Sequence, residues 1–443
     1  MSGAVAGNGL RGGPVRLARD RRGVTSLTFA VAAAAILGMA GMATEGGVWY
    51  SARQRGQNAS DAAASAGAIA LAAGGSAADA IAVATDIASR NGFGSGGATG
   101  VTVNAPPASG PNAGNSNAVE AIITQLQVPQ VSALYLAAGP RITTRAVAVV
   151  ESEGTACALA LANGGGLAMG GNSTTAAKGC TLASNASGAQ SLYIYGSATV
   201  SAYTLHTTGG CSGCSGAGVS LTRPASAYQL PTSNPFAAAD QVELPDFGSC
   251  TPVSGSVTLV PYETSRSAYC GFSAASQQAI TLTPGTYFFT GGIALNAGSS
   301  VTCPTCTGGA GVTIVLTGDG GCNSAGSLTI DGHASVTLTA PAANQTNAAF
   351  DGLLFYQDGR GTPGSITING GATSTLIGGL YFPGASVTFD GNETMNGSGL
   401  STCTELVGLT LNISGNASTT LDTSGCSSSG TRTAQLMAVK LLE

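Results

Sequence analysis

The chain has 443 residues, a net charge of −5, only 8% charged and 5% aromatic residues, and 67 glycines. It is too apolar and too weakly charged for a disordered tail, and it lacks collagen's strict glycine period. No basic stripe follows the first 22 residues, which excludes nucleic acid as a partner; the length allows two or three domains rich in tight turns.

Residues 1–22 carry Arg11, Arg16, Arg19, Arg21 and Arg22 without hydrophobic period and read as a disordered cytoplasmic leader. Val24 to Thr44 then run uncharged for 21 residues. At about 1.5 Å per residue this spans about 31 Å, the thickness of a bilayer's hydrocarbon core. A single membrane helix over residues 23–50 is expected, longer than a cleavable signal's apolar region. The arginines before it outnumber Arg53 and Arg55 after it, so the N-terminus is expected in the cytoplasm and the rest outside. Ala30, Ala34 and Gly38 form a small-residue stripe suited to helix packing in lipid, the alternative being simple alanine richness. Glu45 falls at the outer edge, hydrated among headgroups, with Trp49 and Tyr50 as interfacial aromatics.

Residues 51–153 read as a helical stalk with a small α+β unit. Ser51 to Leu71 favour helix, with Arg53, Gln57 and Asp61 as a polar stripe. Ser76 to Asp79 resemble a capping box that opens a second helix to Arg90, ended by Asn91-Gly92. Strands are expected at Gly100–Asn104, Val119–Gln125 and Ile142–Val150, and a short helix at Val131–Ala138.

Residues 154–443 repeat an apolar-x-apolar-x-Gly unit. It occurs from Leu167, Leu192, Leu328, Ile366, Val387 and Leu411, the last three 21 and 24 residues apart. Short strands with sharp glycine corners at this period predict a parallel β-helix, the alternative being a β-hairpin sandwich. The pattern lapses over 205–270, read as an irregular excursion.

All eleven cysteines lie after residue 156, which points to an oxidising compartment. Cys157 and Cys180, and Cys403 and Cys426, are each 23 residues apart. Cys250 and Cys270 bracket the excursion; Cys211–Cys214 and Cys303–Cys306 have C-x-x-C spacing. Two such knuckles can hold zinc, but structural disulfides are the expected use, which leaves Cys322 over. Of the two histidines, His206 and His333, neither builds a catalytic triad, and His333 follows an Asp-Gly corner where it faces water. Among Asp319, Asp331, Asp351, Asp358, Asp390 and Glu393, Asp331 and Asp390 hold equivalent repeat positions and are candidates to stack as a cation or sugar site. Asp also belongs at such corners for turn reasons, so no catalytic residue, cofactor or metal is expected.

Arg21-Arg22-Gly23, then Glu45, Gly47 and Tyr50, then Gln57-Asn58-Ala59-Ser60-Asp61-Ala62-Ala63-Ala64 resemble the TadE/G-like Flp (tight-adherence) pilus-assembly family. The glycine-rich second half, with Leu282 to Tyr287, Val312 to Gly318 and Gly379 to Gly384, is similar in style to TadG-like members. The resemblance implies a structural role in pilus assembly at the bacterial inner membrane, with a periplasmic C-terminal domain and other assembly proteins as partners. It marks Glu45, Tyr50, Gln57, Asn58 and Asp61 as family motif positions. Thr28 stands where pilin-type members carry a glutamate five residues past the processing glycine, and the Asp-x-Ser-x-Ser metal motif of some members is missing. The other expectation is a membrane-tethered protein that binds or cuts surface polysaccharide.

Overall fold

The computed structural model describes residues 24–94, 96–134, 136–318, 325–369, 373–392, 394–395 and 403–442. The expected leader, Gly23, Asp319, Cys322 and Glu393 lie outside them. The chain divides into two compact units, one of Met1–Leu71, Gly75–Val150 and Val439–Glu443, the other of Ala72–Gly74 and Glu151–Ala438.

In the first unit a single helix, α1, runs Val24–Ala72. Its 49 residues extend about 74 Å. The expected span and stalk are one element, because nothing between Thr44 and Ser51 breaks helix except Gly46-Gly47, which alanine-rich flanks tolerate. The first part exposes Leu27, Phe29, Val31, Ile36 and Leu37, and it is long and apolar enough to cross a membrane. The second part buries Ala52, Ala59, Ser60, Ala63, Ala64 and Ala68. That three-and-four spacing makes one face, and its small residues let the helix lie close to a sheet. The helix α2, Ala77–Arg90, starts with the expected capping box, Ser76 with Asp79, and buries Ala80, Ala84 and Ala88. The sheet is antiparallel, with β2 (Ala118–Leu126) between β1 (Thr99–Asn104) and β3 (Arg141–Ala160). Val119, Ala121, Ile123, Ala146 and Ala148 complete the core against both helices. Of the helix expected at Val131–Ala138, the described residues form only a 3-10 turn, Ser132–Leu134.

Every described pairing between strands of the second unit is parallel, which removes the hairpin alternative. The six repeat units named from the sequence lie in register: Leu328 opposite Ile366, Ile366 opposite Val387, Val387 opposite Leu411, Leu411 opposite Leu167, and Leu167 opposite Leu192. Both apolar residues of each unit are buried, so the triplets supply an inner aliphatic column. Left-handed corners fall on Gly171, Gly196, Gly391 and Gly415, where a Cβ is penalised. In three other layers the corner comes one residue later, on Gln277, Gly298 and His333, so His333 is itself an exposed corner residue.

Spatial order differs from chain order. The last repeats, Thr404–Ile413, pair with Ala158–Ala160 and Leu167–Met169 at the beginning of the unit. This makes a non-covalent seam, bridged by Leu161 N to Gly408 O at 2.9 Å, Asn172 N to Gly415 O at 2.8 Å and Thr174 N to Ala417 O at 2.8 Å. The excursion expected over 205–270 is narrower, since strands occupy Leu205–Thr207, Val219–Leu221, Val257–Leu259 and Ala268–Tyr269. What remains, roughly 223–249, is a strap across an outward column that runs in register through Ala183, Leu159, Val407, Tyr381, Tyr356, Val315 and Phe288. Asn185 brackets Thr232 with two 2.8 Å bonds; Asn234 donates to the Tyr381 hydroxyl at 2.7 Å; Phe236 packs on Tyr381 and Phe247 on Phe288. Both Tyr356 and Tyr381 donate to Asp240. On another outward face Thr258, Thr281, Thr302, Thr337 and Thr375 follow in consecutive register, each partly or fully exposed.

Candidate functional site at the helix exit

Glu45 is 7% exposed, not hydrated as expected. Its carboxylate accepts the backbone N–H of Gln130 at 2.9 Å and of Ser132 at 2.8 Å, and the Ser132 hydroxyl at 2.7 Å. One turn earlier Gly41 meets Val131: a Cβ there would lie 2.6 Å from Val131 Cγ2. The loop after β2 is thus pinned to α1 by a charge and a missing side chain. Sequence spacing pointed to the acid, and nothing local to it names a partner 85 residues away. Glu45→Ala removes charge-assisted bonds worth roughly 1.5 kcal/mol or more. Amide exchange at Gln130 and Ser132 should quicken about tenfold; unchanged protection at both would refute the clamp.

The later motif residues split. Gln57 donates to Asp61 at 2.7 Å and to the Arg145 carbonyl at 3.0 Å, while Ser60 bonds Thr144 at 2.9 Å. Gln57 and Asp61 are half-buried at the sheet; Asn58, Arg53 and Tyr50 are exposed, with Tyr50 accepting from Gln54 at 3.0 Å. So the expected polar stripe is only partly a surface. Ala30 and Ala34 are exposed, Gly38 is half-buried, and nothing lies within 4 Å of the Cβ position at Gly38.

Glu120 was not singled out by its sequence context, yet it orders the 104–110 turn. It is fully buried and accepts Asn104 Nδ2 at 2.7 Å, Ala108 N at 3.0 Å, Ser109 Oγ at 3.0 Å and Arg145 Nε at 2.7 Å. Desolvation pushes its pKa up, but those donors outweigh it and hold the group down at about 2. A depressed carboxylate stabilises the fold above its unfolded pKa near 4.5, and that support is lost as pH falls towards about 2. Glu120→Gln should therefore cost about 2 kcal/mol at neutral pH and flatten the acid limb of the first unit's unfolding curve; an unaltered limb would count against this.

The candidate carboxylates among the described residues are engaged locally. Asp358 pairs with Arg360 at 2.8 Å and Asp351 accepts Asn344 N at 2.6 Å. Asp331 and Asp390 do not meet: Asn369 stands between them in register, donating to Asp331 at 3.4 Å, and Asp390 bonds Gly391 N and Ser414. No group of three potential metal ligands occurs among the described residues. His206 is buried with Nε2 3.0 Å from the Leu230 carbonyl, and burial lowers its pKa. Glu405 is fully buried; burial drives its pKa well up, and Oε1 accepts Ala434 N at 3.1 Å. Disulfides join Cys157 to Cys180, Cys211 to Cys214, Cys250 to Cys270, Cys303 to Cys306 and Cys403 to Cys426. Each C-x-x-C closes on itself, which leaves no thiolate pair for zinc.

Residues 23–73 match the family model described as Flp pilus-assembly TadE/G-like. The match coincides with α1 almost from end to end. No curated protein and no solved structure gives a significant match.

Proposed function

We propose that the protein is a membrane-anchored structural component of a Flp/Tad-type pilus assembly system at the bacterial inner membrane. The observation that carries this is the coincidence of the TadE/G-like match with one helix whose first half is apolar and exposed. In this reading α1 crosses the bilayer once, N-terminus inside, and Ala30, Ala34 and Gly38 receive a helix of another assembly protein. The disulfides suit an extracytoplasmic second unit, read as a parallel β-helix serving as a rigid body without enzymatic activity. Deleting the protein should abolish or alter pili, and the wild-type chain should restore them. A reporter fused at the C-terminus should be active only outside the cytoplasm; cytoplasmic activity would overturn the topology.

A second reading, polysaccharide binding, is favoured by the threonine ladder. Neighbouring strands lie about 4.8 Å apart, so the hydroxyls form a neutral, regularly spaced row suited to a repeating hydroxylated chain. Under it, Thr302→Asp with Thr337→Asp weakens retention on a neutral polysaccharide about tenfold, and pili persist in the deletion strain. Unchanged retention would remove it.

A further inference from the structure

The loop from Leu126 to Pro140 contains no Asp, Glu, Lys or Arg. Val128 is 79% and Leu134 78% exposed, with Leu126 and Leu136 also open. Surface leucines occur singly on many proteins, but four exposed apolar side chains within one short uncharged stretch give it a surface that water does not favour. The loop's place on α1 says what covers it. Val131 touches Gly41, inside the uncharged run and four residues before Glu45, about 6 Å along the helix axis. Beside it α1 exposes Leu37, Met42 and Val48 to the same surroundings.

We propose that this loop dips into the outer leaflet beside the membrane helix, its partner being the lipid surface. This rests on the reading of α1 as a membrane span. The backbone fits a shallow position and not a deep one. Gln127 N bonds Pro140 O at 3.0 Å, Leu136 N bonds Ser132 O at 2.7 Å, and Glu45 takes the Gln130 and Ser132 N–H groups, so much of its polar backbone is satisfied internally. Irregular backbone is excluded from the hydrocarbon centre but accepted at the headgroup boundary, where apolar side chains anchor monotopic segments. The loop and Glu45 then act as a collar that sets the depth of α1.

Tryptophan quenching by brominated phospholipids tests this on the full-length chain in proteoliposomes. In a Trp49→Phe background, single probes are placed by Val128→Trp, Leu134→Trp, Leu37→Trp and, on exposed α2, Val83→Trp. Lipids brominated near the glycerol end should quench the probes at 128 and 134 at least twofold more than that at 83, and deeply brominated lipids should quench the probe at 37. If 128 and 134 behave like 83 while 37 is quenched, the loop faces water or protein and the inference falls alone. If 37 also escapes, the membrane span falls with it.

Discussion

Phe236→Ala should cost the second unit about 3–5 kcal/mol, the usual range for truncating a fully buried phenylalanine. Phe236 belongs to the strap and carries no repeat motif, yet its ring lies 5.5 Å from that of Tyr381. It also fills the space over Gly379, where a Cβ would come within 2.5 Å of the ring. The strap has few regular backbone partners, so side chains hold it: Asn185 at one end, Asp240 between Tyr356 and Tyr381, and Phe247 at the other end. Without the ring the column from Leu159 to Phe288 opens to water at its middle. Thermal unfolding should fall by about 10 °C, taking 2–4 °C per kcal/mol for a unit of this size. Tyr228→Ala, at 76% exposure, is the control and should stay within about 0.5 kcal/mol. A loss below about 1 kcal/mol for Phe236→Ala would show that the strap is an appendage and not part of the core.

What was legible in the sequence depended on distance along the chain. The inner column could be read because Leu, Ile and Val alternate within three residues before a corner, and all six named units do stack in register. The order of stacking could not. Leu411 lies on Leu167, and no local pattern reports a pairing that remote. For the same reason the excursion reads only as irregular: its prolines mark an irregular path but not the direction it takes. The corner glycines also misled by one residue at Asp331-Gly332, where the left-handed position belongs to His333. At the helix exit the motif identifies Glu45, Gln57 and Asp61, while their partners Ser132 and Arg145 sit in segments that read only as a short helix and a strand. Glu120 escaped notice altogether, because a glutamate in an apolar strand has no signature until the 104–110 turn folds over it.

The seam makes the two 23-residue disulfides, Cys157–Cys180 and Cys403–Cys426, the most consequential pair of the five. Each closes a loop of one repeat, for which chain entropy gives roughly 3 kcal/mol, against roughly 2 for a C-x-x-C closure such as Cys303–Cys306. Their position adds to this. Cys157 lies at the first layer of the unit and Cys403 at the last, and those two layers meet through hydrogen bonds and apolar contacts without chain continuity. Fraying of either layer exposes the other's edge, so each staple protects a neighbour as well as its own loop. Replacing Cys403 and Cys426 with alanine should therefore lower the unfolding free energy by about 3 kcal/mol, at least about 1 kcal/mol more than the same change at Cys303 and Cys306. Removing both 23-residue staples should depart from additivity by more than about 0.5 kcal/mol, since the layers share one interface. Denaturant unfolding of the four variants decides it. Strict additivity, or equal losses at the long and short closures, would mean that the seam is no weaker than the continuous layers around it.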